Sequence, residues 1–422
     1  MPPMKTWIVT IYEPLPFDAP ETRPQRCGML AKALIRLGHK VELWTSTFDH
    51  VRHTHYFRKS GRQDISDNFS IQYLDGCGYR NDHSLKRFFH NRQTARNFHR
   101  VANEQSPPPD IIFAPVPSLE LAEAATNYAK KNSCPIVVDI RDLWPDVYFT
   151  MFPKFARALV KPILYGEISR ARRIFRAANG ITAISASYLE WGLQYAERGA
   201  SDLDQVFHLG FVNKININQN KTLDSLRAIR EKYGIGMNKF IATYVGSFSR
   251  FYDVRCILEA SRLFLDDDRI HFLIVGSGEK AEELFSIGNE LKNVTMTGWV
   301  DFQEVCALLG MTDLGLVAYS DIATMSLPNK PFEYMASGIP LLSSLKGELE
   351  HIILNNNIGR IYEPGDVASL VSQIKWFLEN QGYAKEMGSK ALSLFEREFQ
   401  SEIIYSKLAT HLENIARTHH GQ

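Results

Sequence analysis

The chain has 422 residues, enough for two or three domains at about 150 residues each. Hydrophobic residues make up 45% and charged residues 23% of the chain, which is typical of globular proteins and excludes a disordered or fibrous one. The chain has 48 lysines and arginines against 47 aspartates and glutamates, a net charge of +1, which excludes a general nucleic-acid binder. The first half is net basic and the second half net acidic, so we expect the two halves to face different partners.

The cysteines and the apolar runs indicate the compartment. Five cysteines are scattered and none forms a CxxC pair, which favours a reducing compartment over a disulfide framework or a zinc site. No apolar run approaches the roughly 18 residues of a membrane span, and the apolar stretch near the amino terminus is too short for a signal peptide. We therefore expect a cytoplasmic protein, with a peripheral position on the inner face of the membrane as the further expectation.

The first half alternates short apolar runs with amphipathic segments, the pattern of a parallel sheet wrapped by crossover helices. A helix is predicted over residues 23–37, and Gly38 ends it before the next strand. The predicted strands begin near residues 7, 41, 110, 135 and 180. This pattern predicts a first domain of the doubly wound α/β class over residues 1–212.

A second alternation follows a polar passage at residues 213–238, which we interpret as a linker. Strands are predicted to begin near residues 240, 271, 293, 312 and 338, giving a second doubly wound domain over residues 239–400. Residues 401–422 are amphipathic and are expected to pack back on the first domain as a helix. Ligands of such sheets bind at the carboxyl ends of the strands, so we expect the chemistry in a cleft between the two domains.

The segment at residues 326–344 carries the strongest chemical signal. Ser326 and Asn329 precede a predicted helix that begins near Lys330, where free backbone N–H groups and the lysine favour a phosphate. Glu333 lies one turn later, where a carboxylate can accept hydrogen bonds from two ribose hydroxyls. The alternative is that Glu333 only favours the helix dipole and that Lys330 is solvated.

Two glycine turns follow strands of the second domain. Gly246 ends a strand, Ser247 offers a hydroxyl and Arg250 can reach a diphosphate with two parallel donors. Gly276 and Gly278 begin a GxG pattern that lacks the third glycine of a dinucleotide fingerprint, which argues against an NAD enzyme. We expect both turns on the donor side of the cleft.

In the first domain, Arg141, Asp142 and Trp144 follow a predicted buried strand. An arginine beside an aspartate suits a sugar hydroxyl or a phosphate, and a tryptophan offers an apolar face to a pyranose. The alternative is an internal Arg–Asp pair with a core tryptophan. The polar loop after the first strand adds three further candidates for binding an acceptor, which are Asp18, Arg23 and Arg26.

Two segments, at residues 83–100 and 152–178, interleave lysine and arginine with large apolar residues. Such a segment either lies on an anionic membrane surface or presents a solvated helix face. The acidic run at residues 265–270 fits a surface loop better than a metal site, so no metal and no other cofactor are predicted.

Six segments together resemble the retaining glycosyltransferases of the GT-B fold, specifically glycosyltransferase family 4. The segments are GHKVELWTS, VVDIRDLWPD, YVGSF, LIVGSGE, TGWVDFQEV and LPNKPFEYMASGIPLL. The resemblance spans nearly the whole chain. It implies two Rossmann-like domains facing a cleft, and sugar transfer from a nucleotide-diphosphate donor with retained configuration and without a metal.

Three positions carry over from the family pattern: Glu333 for the acid that holds the donor ribose, Val300 for the backbone contact with the base, and Gly246 for the loop glycine near the diphosphate. The chain also departs from the pattern. The first acid of the family's pair falls at Met325, and the usual diphosphate arginine and lysine fall at Ser247 and Tyr252.

We therefore expect Arg250 and Lys330 to stabilise the leaving diphosphate, and the catalytic set to consist of these two residues with Arg141 and Asp142. The predicted acceptor is a glycan or a lipid-linked sugar of bacterial surface-polysaccharide assembly. Two alternatives remain: a non-catalytic sugar-nucleotide or glycan binder, which the missing acid favours, and a sugar-nucleotide epimerase of the same architecture.

Overall fold

A computed structural model describes residues 3–15, 25–57, 59–81, 84–150, 159, 162–212, 223–323 and 327–420 of the chain. It contains two compact units. The first unit comprises residues 1–209 with 402–422, and the second comprises residues 210–401. The helix at residues 223–232, which the sequence analysis places in a linker, belongs to the second unit.

The first unit is built on an eight-stranded sheet with the order β10-β9-β8-β7-β1-β2-β6-β5, in which only β5 is antiparallel to its neighbour. A separate antiparallel pair is formed by β3 and β4. The strands are β1 (Lys5–Val9), β2 (Lys40–Ser46), β3 (Phe48–Asp49), β4 (Thr54–His55), β5 (Gly61–Ser66), β6 (Phe69–Leu74), β7 (Ile111–Val116), β8 (Ile136–Ile140), β9 (Gly180–Ala183) and β10 (Gln205–Val206).

Helices cover this sheet. They are α1 (Arg26–Arg36), α2 (Leu85–Asn103), α3 (Leu119–Lys131), α4 (Val147–Thr150), α5 (Tyr165–Ala177) and α6 (Ala186–Ala196). Successive residues of a strand point to opposite faces, so Trp7 joins one apolar core and Ile8 the other. The rings of Trp7 and Trp44 lie 4.5 Å apart within the first of these cores.

The second unit has a six-stranded, fully parallel sheet with the order β13-β12-β11-β14-β15-β16. Its strands are β11 (Phe240–Val245), β12 (Ile270–Val275), β13 (Val294–Gly298), β14 (Leu314–Val317), β15 (Leu341–Ser343) and β16 (Gly359–Ile361). Its helices are α7 (Leu223–Lys232), α8 (Val254–Arg262), α9 (Ala281–Gly288), α10 (Phe302–Gly310), α11 (Lys330–Ala336), α12 (Glu348–Asn356), α13 (Val367–Glu379), α14 (Gln381–Leu394) and a π-helical turn (Phe395–Phe399).

The last helix, α15 (Ser401–His420), returns to the first unit. Leu408 and Leu412 are fully buried in the same core as Ile8 and Leu34. Helix α15 therefore completes an apolar core of the first unit.

Several strands of these sheets are not predicted by the sequence pattern. β6 is entirely buried, but its alternation of apolar and polar residues resembles a half-exposed strand. β5 is almost wholly exposed and polar, so no hydrophobic pattern marks it. The short strands β3, β4, β10 and β16 were also not predicted.

Candidate functional site

Two glycine turns meet at the carboxyl ends of β11 and β12. The N–H of Gly246 donates to the carbonyl of Val275 at 2.8 Å. A Cβ atom at Gly276, whose φ is +146°, would lie 1.7 Å from the carbonyl oxygen of Gly246. A Cβ atom at Gly278 would lie 2.8 Å from the backbone of Phe248. Close packing of one turn against the other therefore accounts for both glycines of the GxG pattern without a ligand.

Lys330 lies against the first of these turns. Its Nζ atom is 3.7 Å from the ring centroid of Tyr252 and 5.1 Å from that of Tyr244, and it donates to the Tyr244 hydroxyl at 3.4 Å. Burial lowers the pKa of Lys330 to about 8, although the charge of Glu333 acts in the opposite direction. The side chain is thus a partly buried cation held by two aromatic rings, and not the solvated lysine of the alternative interpretation.

The helix that carries Lys330 is short and firmly attached to the sheet. The Tyr334 hydroxyl accepts a hydrogen bond from the N–H of Val245 at 2.9 Å and donates to the carbonyl of Thr243 at 3.1 Å. Glu333 is partly buried one turn after Lys330. Asn329 is exposed before the helix and makes no side-chain cap, while Ser326 lies outside the described residues. Lys330 and Glu333 are therefore fixed relative to the end of β11.

The other predicted donor-side residues lie around this edge. Ser247 is exposed in the turn after Gly246. Arg250 is exposed, and its guanidinium carbon lies 4.9 Å from the ring centroid of Phe251. The backbone N–H of Arg250 donates to the carboxylate of Glu279 at 3.0 Å. Val300 follows β13 and packs against the apolar core beneath the sheet, while the preceding Trp299 is 78% exposed.

Arg26, predicted to bind an acceptor, lies in the interior of the first unit instead. Its guanidinium makes two 2.7 Å hydrogen bonds to the carboxylate of Asp139, and both side chains are fully buried. A third bond, also 2.7 Å, reaches the carbonyl of Phe207. Burial opposes the charged form, but Asp139 outweighs it and raises the pKa of Arg26. Arg26 is therefore a structural residue, and the expectation for it is corrected.

Arg141 pairs with a residue that the sequence analysis did not single out. Its guanidinium binds the carboxylate of Glu13, which also accepts the N–H groups of Cys27 and Gly28 at the start of α1. Burial acts against the charged form of Arg141, but Glu13 raises its pKa overall. A carboxylate of the chain itself thus occupies the beginning of α1, and Arg141 holds it there.

Asp142 and Trp144 form a local turn at the end of β8. The indole N–H of Trp144 donates to Asp142 at 3.1 Å, and the N–H of Leu143 donates to the same carboxylate at 2.9 Å. Trp144 packs partly against the core. Arg141 and Asp142 therefore do not pair with each other in these contacts, and Asp18 and Arg23 lie outside the described residues.

In the second of the two basic segments, ion pairs with acidic side chains neutralise part of the positive charge. On α5, Arg170 and Arg173 pair with Glu123, and Arg176 pairs with Glu197. Apolar side chains are exposed at the start of α2 and before and at the start of α5: Leu85, Phe89, Leu159, Ile163 and Tyr165. Among the described residues, no helix is long and apolar enough to cross a membrane, and no three His, Cys, Asp or Glu side chains form a metal-binding group.

The tyrosines around Lys330 were missed because they are recognisable only in three dimensions. Tyr244 and Tyr252 lie about 80 residues before Lys330 in the chain and meet it only when α11 packs on β11. The only sequence signal was a pair of tyrosines on either side of the Gly246 turn.

Part of the second unit is similar to a known protein family. Residues 226–393 match the family described as Glycosyl transferases group 1. N-acetyl-alpha-D-glucosaminyl L-malate synthase of Bacillus anthracis is 25% identical over 193 residues. This match covers 45% of the present chain and 49% of the relative, so the chain spans about half the length of the curated relative it matches.

Solved structures share the fold over nearly the whole chain. Sucrose-phosphate synthase of Thermosynechococcus elongatus superposes with a TM-score of 0.69 at 15% identity, covering 98% of this chain and all of the other. Anabaena HepE in complex with UDP-glucose superposes with a TM-score of 0.63 at 16% identity, covering 97% and 100%. These likenesses confirm the predicted α/β fold of the GT-B class. The stretch that is similar to the group 1 glycosyl transferases, residues 226–393, lies within this shared fold.

Proposed function

We propose that the protein is a retaining glycosyltransferase that moves a sugar from a nucleoside-diphosphate donor to a hydroxyl of a glycan or lipid-linked acceptor. The observation that carries this proposal is Lys330, a partly buried cation at the end of β11 within the matched domain. A cation kept out of bulk water is suited to an anionic ligand, and a diphosphate is the anion that this class of reaction releases. The UDP-glucose bound by HepE supports the same type of donor.

In the proposed reaction the bond between the anomeric carbon and the diphosphate oxygen breaks, and the acceptor oxygen forms a new bond on the same face. The proton of the acceptor hydroxyl passes to a phosphate oxygen of the leaving diphosphate, so no protein nucleophile is needed. Lys330 stabilises the negative charge that develops on the diphosphate, with Arg250 as the second cation at the same edge. Glu333 accepts the ribose hydroxyls.

The test begins with binding. We expect one of UDP, GDP, ADP, CMP and dTDP to raise the melting temperature, because a ligand of the folded state stabilises it by RT ln(1 + [L]/Kd). Release of this nucleotide from its sugar conjugate is then measured for the wild type, Lys330→Ala and Glu333→Ala. Lys346→Ala is the matched control, because Lys346 forms surface ion pairs with Glu350 and Glu363 in the same domain.

Each rival function gives a different result in this assay. Binding without turnover indicates a sugar-nucleotide binder, and interconversion of free nucleotide sugars without an acceptor indicates an epimerase. The proposed metal-independent reaction keeps its rate in EDTA, whereas a reaction that needs Mg²⁺ or Mn²⁺ stops. Turnover that survives Lys330→Ala unchanged contradicts the proposed role of Lys330.

We also propose a role in bacterial surface-polysaccharide assembly at an anionic membrane surface. The exposed Leu159, Ile163 and Tyr165 beside the basic helix α5 support a peripheral position. The ion pairs on α5 reduce its net charge, so apolar contact is expected to dominate. Flotation with anionic vesicles tests this role. We expect Ile163→Ser to weaken association with the vesicles. Unchanged flotation of this variant would contradict the proposed membrane surface.

A further inference from the structure

A cavity of about 580 Å³ lies at the amino ends of the strands in the second unit. Phe240 at the start of β11 and Asp313 just before β14 both line it. Lys330 and Gly246 lie at the opposite, carboxyl end of β11. Since β11 has six residues at about 3.3 Å each, about 20 Å of strand separates the cavity from the candidate site. The cavity is therefore a separate space, and its volume lies in the range of small-molecule sites.

A buried arginine forms part of the cavity wall. Arg230, on α7, is buried, and its Nη1 atom donates to three backbone carbonyls of the following loop, those of Gly236 at 2.6 Å, Met237 at 3.0 Å and Lys239 at 3.3 Å. These bonds fix the guanidinium group. Its Nε and Nη2 atoms form no hydrogen bond, and the group forms no ion pair, within the part of the chain that the structure describes.

The environment of Arg230 differs from that of Arg26 in the first unit. Arg26 is bound by Asp139, and this carboxylate raises its pKa despite burial. Burial instead lowers the pKa of Arg230, and the charge of Asp313 opposes this shift without cancelling it. A buried cation without a close counter-charge costs free energy, so an anion that enters from solution gains by pairing with it.

A second cation lines the same cavity. Lys385, on α14, is exposed and forms no ion pair with any described residue, whereas Lys390 on the same helix pairs with Glu386. Asp313 is the only acid among the described lining residues, and its carboxylate accepts the N–H of Ile241 at 2.8 Å. The lining therefore carries two cations against one carboxylate, a net charge of +1.

The rest of the lining suits the body of an organic molecule. Phe240, Met311 and Pro340 supply apolar surface, while Gln381 and Ser389 supply an amide and a hydroxyl for hydrogen bonds. An inorganic ion would leave most of this surface and volume unoccupied. A molecule that joins an oxyanion to a body the size of a sugar matches both parts of the lining.

We propose that this cavity binds a small organic oxyanion, either a phosphate ester or a carboxylate, whose charge lies between Arg230 and Lys385 and whose body lies against Phe240 and Met311. The guanidinium group offers directed donors to the oxyanion, and the lysine adds a point charge. Both cations are binding residues and take no part in sugar transfer. The inference goes beyond the proposed function and does not depend on it.

The experiment measures direct binding to the full chain at constant ionic strength. Titration calorimetry gives dissociation constants for glucose 6-phosphate, glucuronate and glucose, which share a sugar ring and differ in charge. The variants are Lys385→Glu, Arg230→Lys and Lys330→Ala. Lys375→Glu is the matched control, because Lys375 is exposed on the preceding helix α13 and does not line the cavity. Melting temperatures verify folding, and the exposed Lys385 provides a variant that folds even where Arg230→Lys does not.

We expect the wild type to bind at least one anionic sugar about tenfold or more tightly than glucose, the factor that one charge-assisted hydrogen bond contributes. Lys385→Glu is expected to lose about tenfold or more of this affinity, and Arg230→Lys to lose part of it. Lys375→Glu and Lys330→Ala are expected to keep all of it. Tighter binding of glucose 6-phosphate identifies the oxyanion as a phosphate ester, and tighter binding of glucuronate identifies a carboxylate.

Three results overturn the inference. They are equal binding of all three sugars by the wild type, an affinity for the anionic sugar that is unchanged in Lys385→Glu, and an affinity that is lost in Lys330→Ala, which would move the sugar to the candidate site. The nucleotide found by thermal shift is titrated in parallel, and we expect Lys385→Glu to leave its affinity unchanged. If no nucleotide binds the wild type, the proposed function fails while the result for the cavity still stands.

Discussion

A Cβ atom at Gly246 would lie 1.8 Å from the Nζ atom of Lys330. The glycine at the end of β11 therefore makes room for the lysine, and any other residue there displaces the ammonium group from its position between Tyr244 and Tyr252.

Gly246→Ala tests this relationship. We expect the substitution to weaken nucleotide binding by about ten- to a hundredfold, the range lost with one charge-assisted hydrogen bond of about 1.5–3 kcal/mol. Gly382→Ala is the control, because a Cβ at Gly382, on α14 of the same unit, has open space around it. Isothermal titration with the nucleotide found by thermal shift gives both constants. If Gly246→Ala and Gly382→Ala bind the nucleotide with equal affinity, the position of Lys330 against Gly246 does not contribute to binding, which would contradict the prediction.

The pH dependence of nucleotide binding follows from the lowered pKa of Lys330. Its ammonium form predominates below about pH 8 and is lost above it, so affinity for a diphosphate is expected to fall between pH 8 and pH 9.5. A bound anion raises the pKa of the lysine, so binding near pH 8.5 takes up protons. Titrations in two buffers of different ionisation enthalpy measure this uptake. Lys330→Met is expected to remove both effects, and a steep profile in that variant would assign them to another group.

The same burial of Lys330 has a cost in stability. Burial lowers the pKa of Lys330 from its ordinary value of 10.5 to about 8 in the folded protein. The unfolded chain therefore binds more protons between these two values, and stability rises with pH across that window. Below pH 8, Lys330 is charged in both the folded and the unfolded state, so the full cost of burying its charge applies. We therefore expect Lys330→Met to raise the melting temperature at pH 7 by about 2–4 °C for each kcal/mol relieved. A lower melting temperature would mean that the charge stabilises the ligand-free fold.

The Arg26–Asp139 pair is expected to affect folding, not binding. Replacing either partner alone by alanine leaves a buried unpaired charge and is expected to cost about 3–5 kcal/mol. The double variant Arg26→Met with Asp139→Leu is expected to cost less than the sum of the single changes. Urea unfolding measures the free energy of unfolding of the wild type and of each variant. Normal stability of Arg26→Ala with loss of sugar transfer would instead restore the acceptor-binding role.

Much of the fold was predictable because buried parallel strands form apolar runs. β1, β2, β7, β8, β11, β12 and β14 stand out in this way, whereas the polar β5 does not. At the candidate site, Lys330, Glu333 and Gly246 lie in short motifs, so local spacing was enough to select them. The contact of Lys330 with Tyr244 and Tyr252 was not predictable, because the two tyrosines lie in a distant segment of the chain.

Arg26 shows where local reasoning fails. Its polar segment at the predicted start of a helix indicates a residue that faces the cleft, but Arg26 is the first residue of α1 and its side chain is buried. The signal for its burial lay elsewhere in the chain, in Asp139 within the apolar strand β8. An acid inside an apolar run needs a buried partner, and sequence alone does not say which cation supplies it.

The most direct test of the central claim is a crystal structure with the nucleoside diphosphate that stabilises the protein most. The account predicts a phosphate oxygen within about 3 Å of Nζ of Lys330 and the ribose hydroxyls at the carboxylate of Glu333. A nucleotide bound elsewhere, with Lys330 still enclosed by its two tyrosines, would contradict it.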